Sequence, residues 1–366
     1  MSKNESPRGA VRERREKVLT SLQNLGERIY RQITAGEFPW IKMPSRSINN
    51  ILYDPKLRQY ILGNRSVKRS SRNIRHIRPL TQLIWTAMFV NDLTRQSKTS
   101  TLRDVFYSAQ AYEMSFTDQQ ESDNLITDLE TVIGYSREDF NVFPEERSAI
   151  FGDLTIEYTI PGYEGRRLNL TSHPDGMMIG PALTGAEFID CKADKVIAIE
   201  KGGLFTRFIE ERVHIKHKAL LVHTAGQAPR ATRSFLRRLN QELGLPVYIF
   251  TDGDPWGMHI AMVIISGSAN AAHLRDLNTP DAKWFGVWAS DIVEYKLPSD
   301  KLTELDIKRL HELKKDPRYE GKIWSREIET FMRIKKKAEQ EAFSRYGLTY
   351  IVDEYLPAKL EMADSY

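Results

Sequence analysis

Three carboxylates stand where short apolar runs end. Glu200 closes KVIAIE (195–200) and is followed by Lys201, Gly202 and Gly203. Asp252 closes PVYIFTD (246–252), and Asp254 follows it within FTDGDPWG. In an open parallel sheet the working crevice lies outside the carboxyl ends of the strands. Two such runs side by side would bring all three acids to one mouth. They would repel one another unless a cation lay among them, and hard oxygen donors with water still bound suit Mg²⁺. Gly253 and Gly257 allow the tight turns that keep both aspartates aimed at one point. The same aspartates also fit a plainer part, as turn and N-cap residues after a strand.

A second constellation lies in TAGQAPRATRSFLRRL (224–239). An apolar run enters Gly226 and then a helix-like segment carrying Arg230, Arg233, Arg237 and Arg238. Backbone N–H groups at a helix N-terminus attract phosphate, and a solvated basic face is the alternative. No G-x-x-x-x-G-K-[ST] loop occurs, so no P-loop ATP site is expected. Tyr107, in LRDVFYSAQ, stands one helical turn after Arg103. A phenol with a pKa of about 10 needs help to act as a nucleophile. A nearby guanidinium stabilises both the phenolate and charge developing on phosphate. Most tyrosines, however, are packing residues. From Arg65 to Arg78 the basic residues fall at 65, 68, 69, 72, 75 and 78 with no acid among them. In a helix, Arg69, Arg72, Arg75 and Arg78 form a ridge; in an extended chain they scatter.

The elements around these residues divide the chain. In the second half, KVIAIE, ALLVHT (219–224) and PVYIFTD alternate with helix-like segments near 204–212 and 230–242, which implies a parallel α/β sheet. WFGVWASDI (284–292) reads as a further strand and 325–346 as an amphipathic helix. In the first half, Val18, Leu22, Leu25, Ile29 and Ile33 make 11–35 an amphipathic helix. Asp54-Pro55 marks a turn and Gly63 a stop. Three helices are expected next. Pro79 opens the first, with Leu83, Ile84, Ala87, Met88 and Leu93 as its apolar face. Thr101 and Asp104 have capping-box spacing for the second. The third runs from about 117 to 133, with Gly134 beyond its end. Strands near 140–143 and 149–151 would then complete a winged helix, which presents its last or second-last helix to DNA. The stretch 111–150, with ten acids and two bases, would face away.

Composition narrows the class. The 366 residues are 41% hydrophobic and 28% charged, a globular balance. No run approaches the roughly 18 apolar residues of a membrane helix. The N-terminal MSKNESPRGAVRERREK has no apolar h-region, so no secretory signal is expected. The single Cys191 excludes a disulfide framework and a Cys-based zinc site, and fits a reducing cytosol. Net charge is only +4, but residues 1–110 carry 21 Lys/Arg against 8 Asp/Glu. A basic front end points to a polyanionic partner.

In order, these pieces resemble one family, the A subunit of topoisomerase VI. This is the type IIB DNA topoisomerase family shared with the eukaryotic protein that makes meiotic double-strand breaks. R-D-V-F-Y at 103–107 resembles its catalytic tyrosine motif. E-K-G-G at 200–203 and D-G-D-P-W-G at 252–257 resemble its Toprim metal-binding signature, and G-Q-A-P-R-A-T-R-S-F-L at 226–236 its intervening signature. The resemblance runs from P-S-R-S-I-N-N at 44–50 to S-D-I at 290–292. The family usually has two tyrosines in the first motif, of which the second is its nucleophile; here the first is Phe106 and the second Tyr107. Ala225 stands where the family often has Lys or a similar residue.

The resemblance implies an α/β protein with an N-terminal winged-helix (CAP-like) domain and a C-terminal Toprim parallel α/β domain. The divisions expected are an extension with an amphipathic helix (1–68), a winged-helix DNA-binding domain with the catalytic tyrosine (69–147) and the Toprim domain (148–366). Tyr107 would attack a phosphodiester of double-stranded DNA, giving a 5′-phosphotyrosyl link and a free 3′-OH, with Arg103 assisting. Glu200, Asp252 and Asp254 would hold Mg²⁺. The protein would form a homodimer, each tyrosine facing the other protomer's metal. ATP would be bound by a separate chain, the topoisomerase VI B subunit, in an A2B2 heterotetramer. Helix 11–35 would contact that chain, and duplex passage would relax or decatenate DNA. Arg69, Arg72, Arg75, Arg78, Arg230, Arg233 and Arg237 are the candidate phosphate contacts, and binding should be salt-dependent. The setting expected is cytoplasmic, at the nucleoid, without a membrane. Three rival readings stand beside it. The first is a meiosis-type break maker without strand passage. The second is a Toprim nuclease in which metal activates water and Tyr107 only packs. The third is a non-catalytic DNA-binding protein with a structural cation.

Overall fold

A computed structural model describes residues 10–144, 147–275 and 277–364. Residues 1–9, part of the stretch expected to lack an apolar leader, lie outside the described residues. No helix among the described residues is long and apolar enough to cross a membrane.

The first half packs around one core. Helix α1 (Ala10–Thr34) buries Val18, Leu22, Leu25 and Ile29 on the face its periodicity predicts. Ile33, expected on that face, is exposed because the core ends one turn earlier. Strands β1 (Trp40–Pro44) and β2 (Ser66–Ser70) pair antiparallel. Ile41 and Met43 of β1 join the cluster that holds α1 against α2 (Ile74–Gln96), α3 (Leu102–Ala111) and α4 (Gln119–Ile133). Helix α1 and strand β1 are therefore part of this core.

Local chemistry sets the helix ends. Asn73 caps α2 by accepting the Arg75 N–H, so this helix begins before Pro79, which falls in its second turn. Met88, expected on the apolar face, points outward, and Val90 is buried instead. Thr101 and Asp104 exchange hydrogen bonds of 3.0 Å in a capping box at the start of α3. Asp118 caps α4, and Gly134, at φ 78°, ends it. The basic ridge does not form. Arg69 lies in β2, Arg72 in a turn, and only Arg75 and Arg78 lie in α2.

The expected two-strand wing also does not form. Val142–Phe143 pair parallel with Ser100–Thr101. Strand β3 (Ala149–Phe151) leaves for the second half, where all three of its residues are buried. A second core begins there and runs to Ala363.

The described residues of the second half form a six-stranded sheet. Antiparallel to β3 lies β4 (Met177–Met178). Four strands run parallel: β5 (Lys195–Ile199), β6 (Ala219–His223), β7 (Val247–Phe250) and β8 (Lys283–Gly286). The sheet order is β4-β3-β6-β5-β7-β8. Strands buried on both faces read as continuous apolar runs, which is why VIAI and VYIF mark β5 and β7 so plainly. Helices α5 (Gly202–Glu210), α6 (Arg230–Leu243) and α7 (Pro255–Ser266) follow β5, β6 and β7. The run 284–292 is not one strand: β8 stops at Gly286 and a short helix occupies Ala289–Glu294. Helices α8 (Glu304–Lys315) and α9 (Lys322–Ile334) follow. The expected helix 325–346 is cut at Ile334 by Lys335, which takes φ 52°. Lys336–Lys337 then pair with Asp300–Lys301, and Gln340–Tyr346 form tight turns.

Candidate functional site

The chain leaves β5 for β6 on one side of it, then crosses to β7 on the other. That reversal opens a crevice at the carboxyl ends of β5 and β7. Glu200 follows β5 directly, and its backbone N–H donates to the Phe250 carbonyl at the end of β7, 3.0 Å away. Glu200 Oε2 accepts the Asp252 N–H at 2.9 Å. Asp254 caps α7, with Oδ1 accepting the Gly257 N–H at 2.6 Å. Gly257 is required there, because a Cβ would lie 2.2 Å from the Asp252 carbonyl oxygen. The loop after β6 closes another side. Ala225 and Gly226 both take positive φ, and the Gly226 N–H donates to the Glu200 carbonyl at 3.2 Å.

A further wall comes from far along the chain. Ala338 and Gly253 exchange backbone hydrogen bonds of 2.8 and 3.0 Å. The Gln340 N–H donates to Asp252 Oδ1 at 3.0 Å, and Gln340 Oε1 accepts the Lys201 N–H at 3.2 Å. Lys201 Nζ lies 3.1 Å from Asp252 Oδ2 and 3.2 Å from Glu339 Oε2. Sequence reasoning missed this strap, because 325–346 continues a helical pattern and nothing local signals its docking.

The site holds its negative charge at a cost. Burial, and then the neighbouring charge of Asp252, raises the Glu200 carboxyl to about 7. Burial raises Asp252 to about 6 despite the Gln340 N–H and Lys201, and raises Asp254 as well. Among the described residues no group of three His, Cys, Asp or Glu side chains is placed to hold a metal ion as it stands. Glu200 and Asp254 each turn an oxygen onto a backbone N–H instead. An all-oxygen donor set, mutually repulsive and bearing an ammonium on Asp252, fits a hard cation that keeps much of its water.

Tyr107 is 52% exposed on α3, with the Arg103 guanidinium 5.7 Å from its ring centre. Its neighbour Phe106 turns inward against Phe116. Among the described residues no hydrogen bond or ion pair joins Tyr107 or Arg103 to Glu200, Asp252 or Asp254.

The arginines expected on phosphate divide sharply. Arg72 and Arg75 are exposed and form no ion pair among the described residues. Arg69 is held by Asp128 at 2.5 Å, and Arg78 by Glu121 at 3.0 Å and the Ser115 carbonyl at 3.2 Å. Arg230 pairs with the fully buried Glu130 of α4 at 2.8 Å. Glu130 also receives Arg137 at 3.1 Å and His273 at 3.0 Å. Arg233 is 6% exposed, and burial beside Arg230 lowers its pKa to about 10. Arg237 is half-buried. Arg230 and Arg233 thus lie inside the protein, not on a free basic face. The acids of 111–150 do not simply face away either, since Glu121, Asp128 and Glu130 hold arginines.

Known proteins resemble this chain along almost its whole length. Residues 195–360 match the family described as the Toprim domain of the topoisomerase 6 A-subunit/Spo11 proteins, and residues 78–142 match "Type IIB DNA topoisomerase". The chain is 47% identical over 354 residues to a protein of Methanothermobacter thermautotrophicus named as the A subunit of type 2 DNA topoisomerase 6, covering 96% of this chain and 99% of that one. Proteins of the same name from Archaeoglobus fulgidus and Natronomonas pharaonis are each 37% identical. They cover 96% and 93% of this chain, and 98% and 94% of their own lengths.

Proposed function

The chain belongs to the family of topoisomerase VI A subunits, and from that premise we propose that it cleaves and rejoins duplex DNA through Tyr107. The observation that carries this reading is the orientation of the R-D-V-F-Y helix. Phe106 is spent on the core while Tyr107 and Arg103 share its outer side. The phenol oxygen attacks a backbone phosphorus and gives up its proton as the bond forms. The 3′ oxygen leaves as a hydroxyl, and the protein stays joined to the 5′ phosphate. The freed 3′-OH reverses the step, so resealing needs no new activation. Arg103, one turn from Tyr107, offers its guanidinium to the charged phosphate.

Glu200, Asp252 and Asp254 would hold Mg²⁺, which when bound offsets charge on the phosphate and the leaving oxygen. The chain's own residues set the stage for it. Gln340 fixes one oxygen of Asp252, and Asp254 is held by the first turn of α7. Tyr107 stands on the helices of the first core, whereas the acids end strands of the second. That separation supports a homodimer, with each tyrosine serving the acids of the other copy. Helices α2–α4 would act as the helical DNA-binding unit that presents α3 to DNA, and 148–366 as the Toprim domain. A separate ATPase chain, the B subunit, would meet α1 and complete an A2B2 enzyme that passes one duplex through another. The proposed setting is the cytoplasm, at the nucleoid.

The test is a cleavage trap. Supercoiled DNA, Mg²⁺, the chain, its ATPase partner and a non-hydrolysable ATP analogue are mixed and quenched with detergent. Protein joined to 5′ ends, lost in Tyr107→Phe, is the expected result. Breaks with free ends that survive Tyr107→Phe would replace the transesterase with a metal-dependent nuclease.

A further inference from the structure

We propose that Lys201 and Glu339 form an exchange pair that neutralises Asp252 with an internal ammonium until a divalent cation displaces it. The inference rests on reading Glu200, Asp252 and Asp254 as the Mg²⁺ ligands. Asp252 has one oxygen fixed by the Gln340 N–H, so Oδ2 is the oxygen left for a cation. Lys201 Nζ already lies against it at 3.1 Å. A divalent ion and an ammonium cannot share one carboxylate oxygen without strong repulsion. The lysine has somewhere else to go. Glu339 Oε2 lies 3.2 Å from the same nitrogen on the solvent side, with its side chain 68% exposed against 10% for Asp252. A long lysine side chain can swing between the two carboxylates while its backbone stays fixed, because its N–H is held by Gln340 Oε1. Nothing else in the strap has to move, since Ala338 and Gly253 remain paired.

Lys201 and Glu339 are thus positioning residues that set metal affinity from opposite sides. Lys201 competes with the metal, and Glu339 draws the competitor away. Changes around the ligands of a metal site alter affinity by about 10–100-fold, and effects of about tenfold are expected here. The experiment titrates the full chain, without DNA, with Mn²⁺ as a paramagnetic probe and reads free Mn²⁺ by electron spin resonance. Lys201→Met should bind Mn²⁺ about tenfold more tightly than wild type, and Lys201→Gln should do the same. Glu339→Gln should bind it more weakly, and Glu339→Asp should restore much of the loss. The double variant Lys201→Met/Glu339→Gln should match Lys201→Met, because Glu339 acts only through the lysine. Thermal unfolding in EDTA confirms that each variant is folded. Unchanged or weaker binding in both folded Lys201 variants would overturn the exchange. A double variant weaker than Lys201→Met would make Glu339 a ligand instead, and would also overturn it. If wild type takes up no Mn²⁺, or Asp252→Asn binds as well as wild type, the metal reading itself fails and the exchange falls with it.

Discussion

Replacing Glu200 by Gln probes the electrostatics of the acid site while leaving its shape nearly intact. Burial, reinforced by the charge of Asp252, raises Glu200 from 4.5 to about 7. An acid whose pKa is raised on folding is ionised more easily in the unfolded chain. Its ionised form therefore weighs against the fold. Below pH about 4.5 the carboxyl is protonated in both states and exerts no penalty. The penalty grows as pH rises between 4.5 and about 7 and is complete above that. A pKa gap of about 2.5, at about 1.4 kcal/mol each, gives about 3 kcal/mol. In EDTA at pH 8, Glu200→Gln should be more stable than wild type by about that much. For 366 residues unfolding together, at about 1.3 °C per kcal/mol, this corresponds to a Tm gain of about 4 °C. At pH 4.5 the two melting curves should coincide. Saturating Mg²⁺ at pH 8 should stabilise wild type and narrow the gap, since a ligand at about 100 times its Kd contributes about 2.7 kcal/mol. Calorimetric melts of both proteins from pH 4.5 to 8 measure all of this. Equal stability at pH 8 in EDTA would refute the reasoning, because it would mean that burial exacts no penalty from the ionised Glu200 carboxylate even with Lys201 seated on Asp252.

Arg72→Ala and Arg75→Ala should each reduce the slope of log affinity against log salt by about 0.9 in DNA binding, whereas Arg69→Ala and Arg78→Ala should first lower stability in urea unfolding. Glu130→Gln, which leaves Arg137, Arg230 and His273 without their shared anion, should destabilise the protein by about 3–5 kcal/mol in the same assay. Gly257→Ala forces a Cβ to 2.2 Å from the Asp252 carbonyl and should abolish stabilisation by Mg²⁺ in thermal melts.

What could be read from the sequence was what depends on near neighbours. The Thr101–Asp104 box, the α4 stop at Gly134 and the apolar strands β5 and β7 are each written within a few residues. Because strand ends locate a crevice, the positions of Glu200 and Asp252 were legible too, and Asp254 proved to be an N-cap as well as a candidate ligand. The failures share a different cause. Arg230 and Arg233 look like a basic face until α4 brings Glu130 to meet them. Ala149–Phe151 look like half of a wing until β6 offers a longer apolar edge. The segment after Ile334 keeps helical periodicity, but Gly253 and Asp252 claim its backbone. In each case a partner roughly 70 to 100 residues away outweighed a local pattern, as tertiary context commonly does.

The strap that fixes Asp252 has a consequence for how the protein is made. Translation delivers Glu200, Asp252 and Asp254 long before Ala338 and Gln340 leave the ribosome. Domains generally fold as units during synthesis, and distant contacts close last. Until the last tenth of the chain has emerged, Asp252 lacks the Gln340 amide and Gly253 lacks both of its bonds to Ala338. A chain that stops short of residue 338 would therefore carry Tyr107, the nucleophile proposed above, without an ordered acid site. For the DNA cleavage proposed for Tyr107, this order of synthesis would hold back the acid site until residues 338–340 are in place.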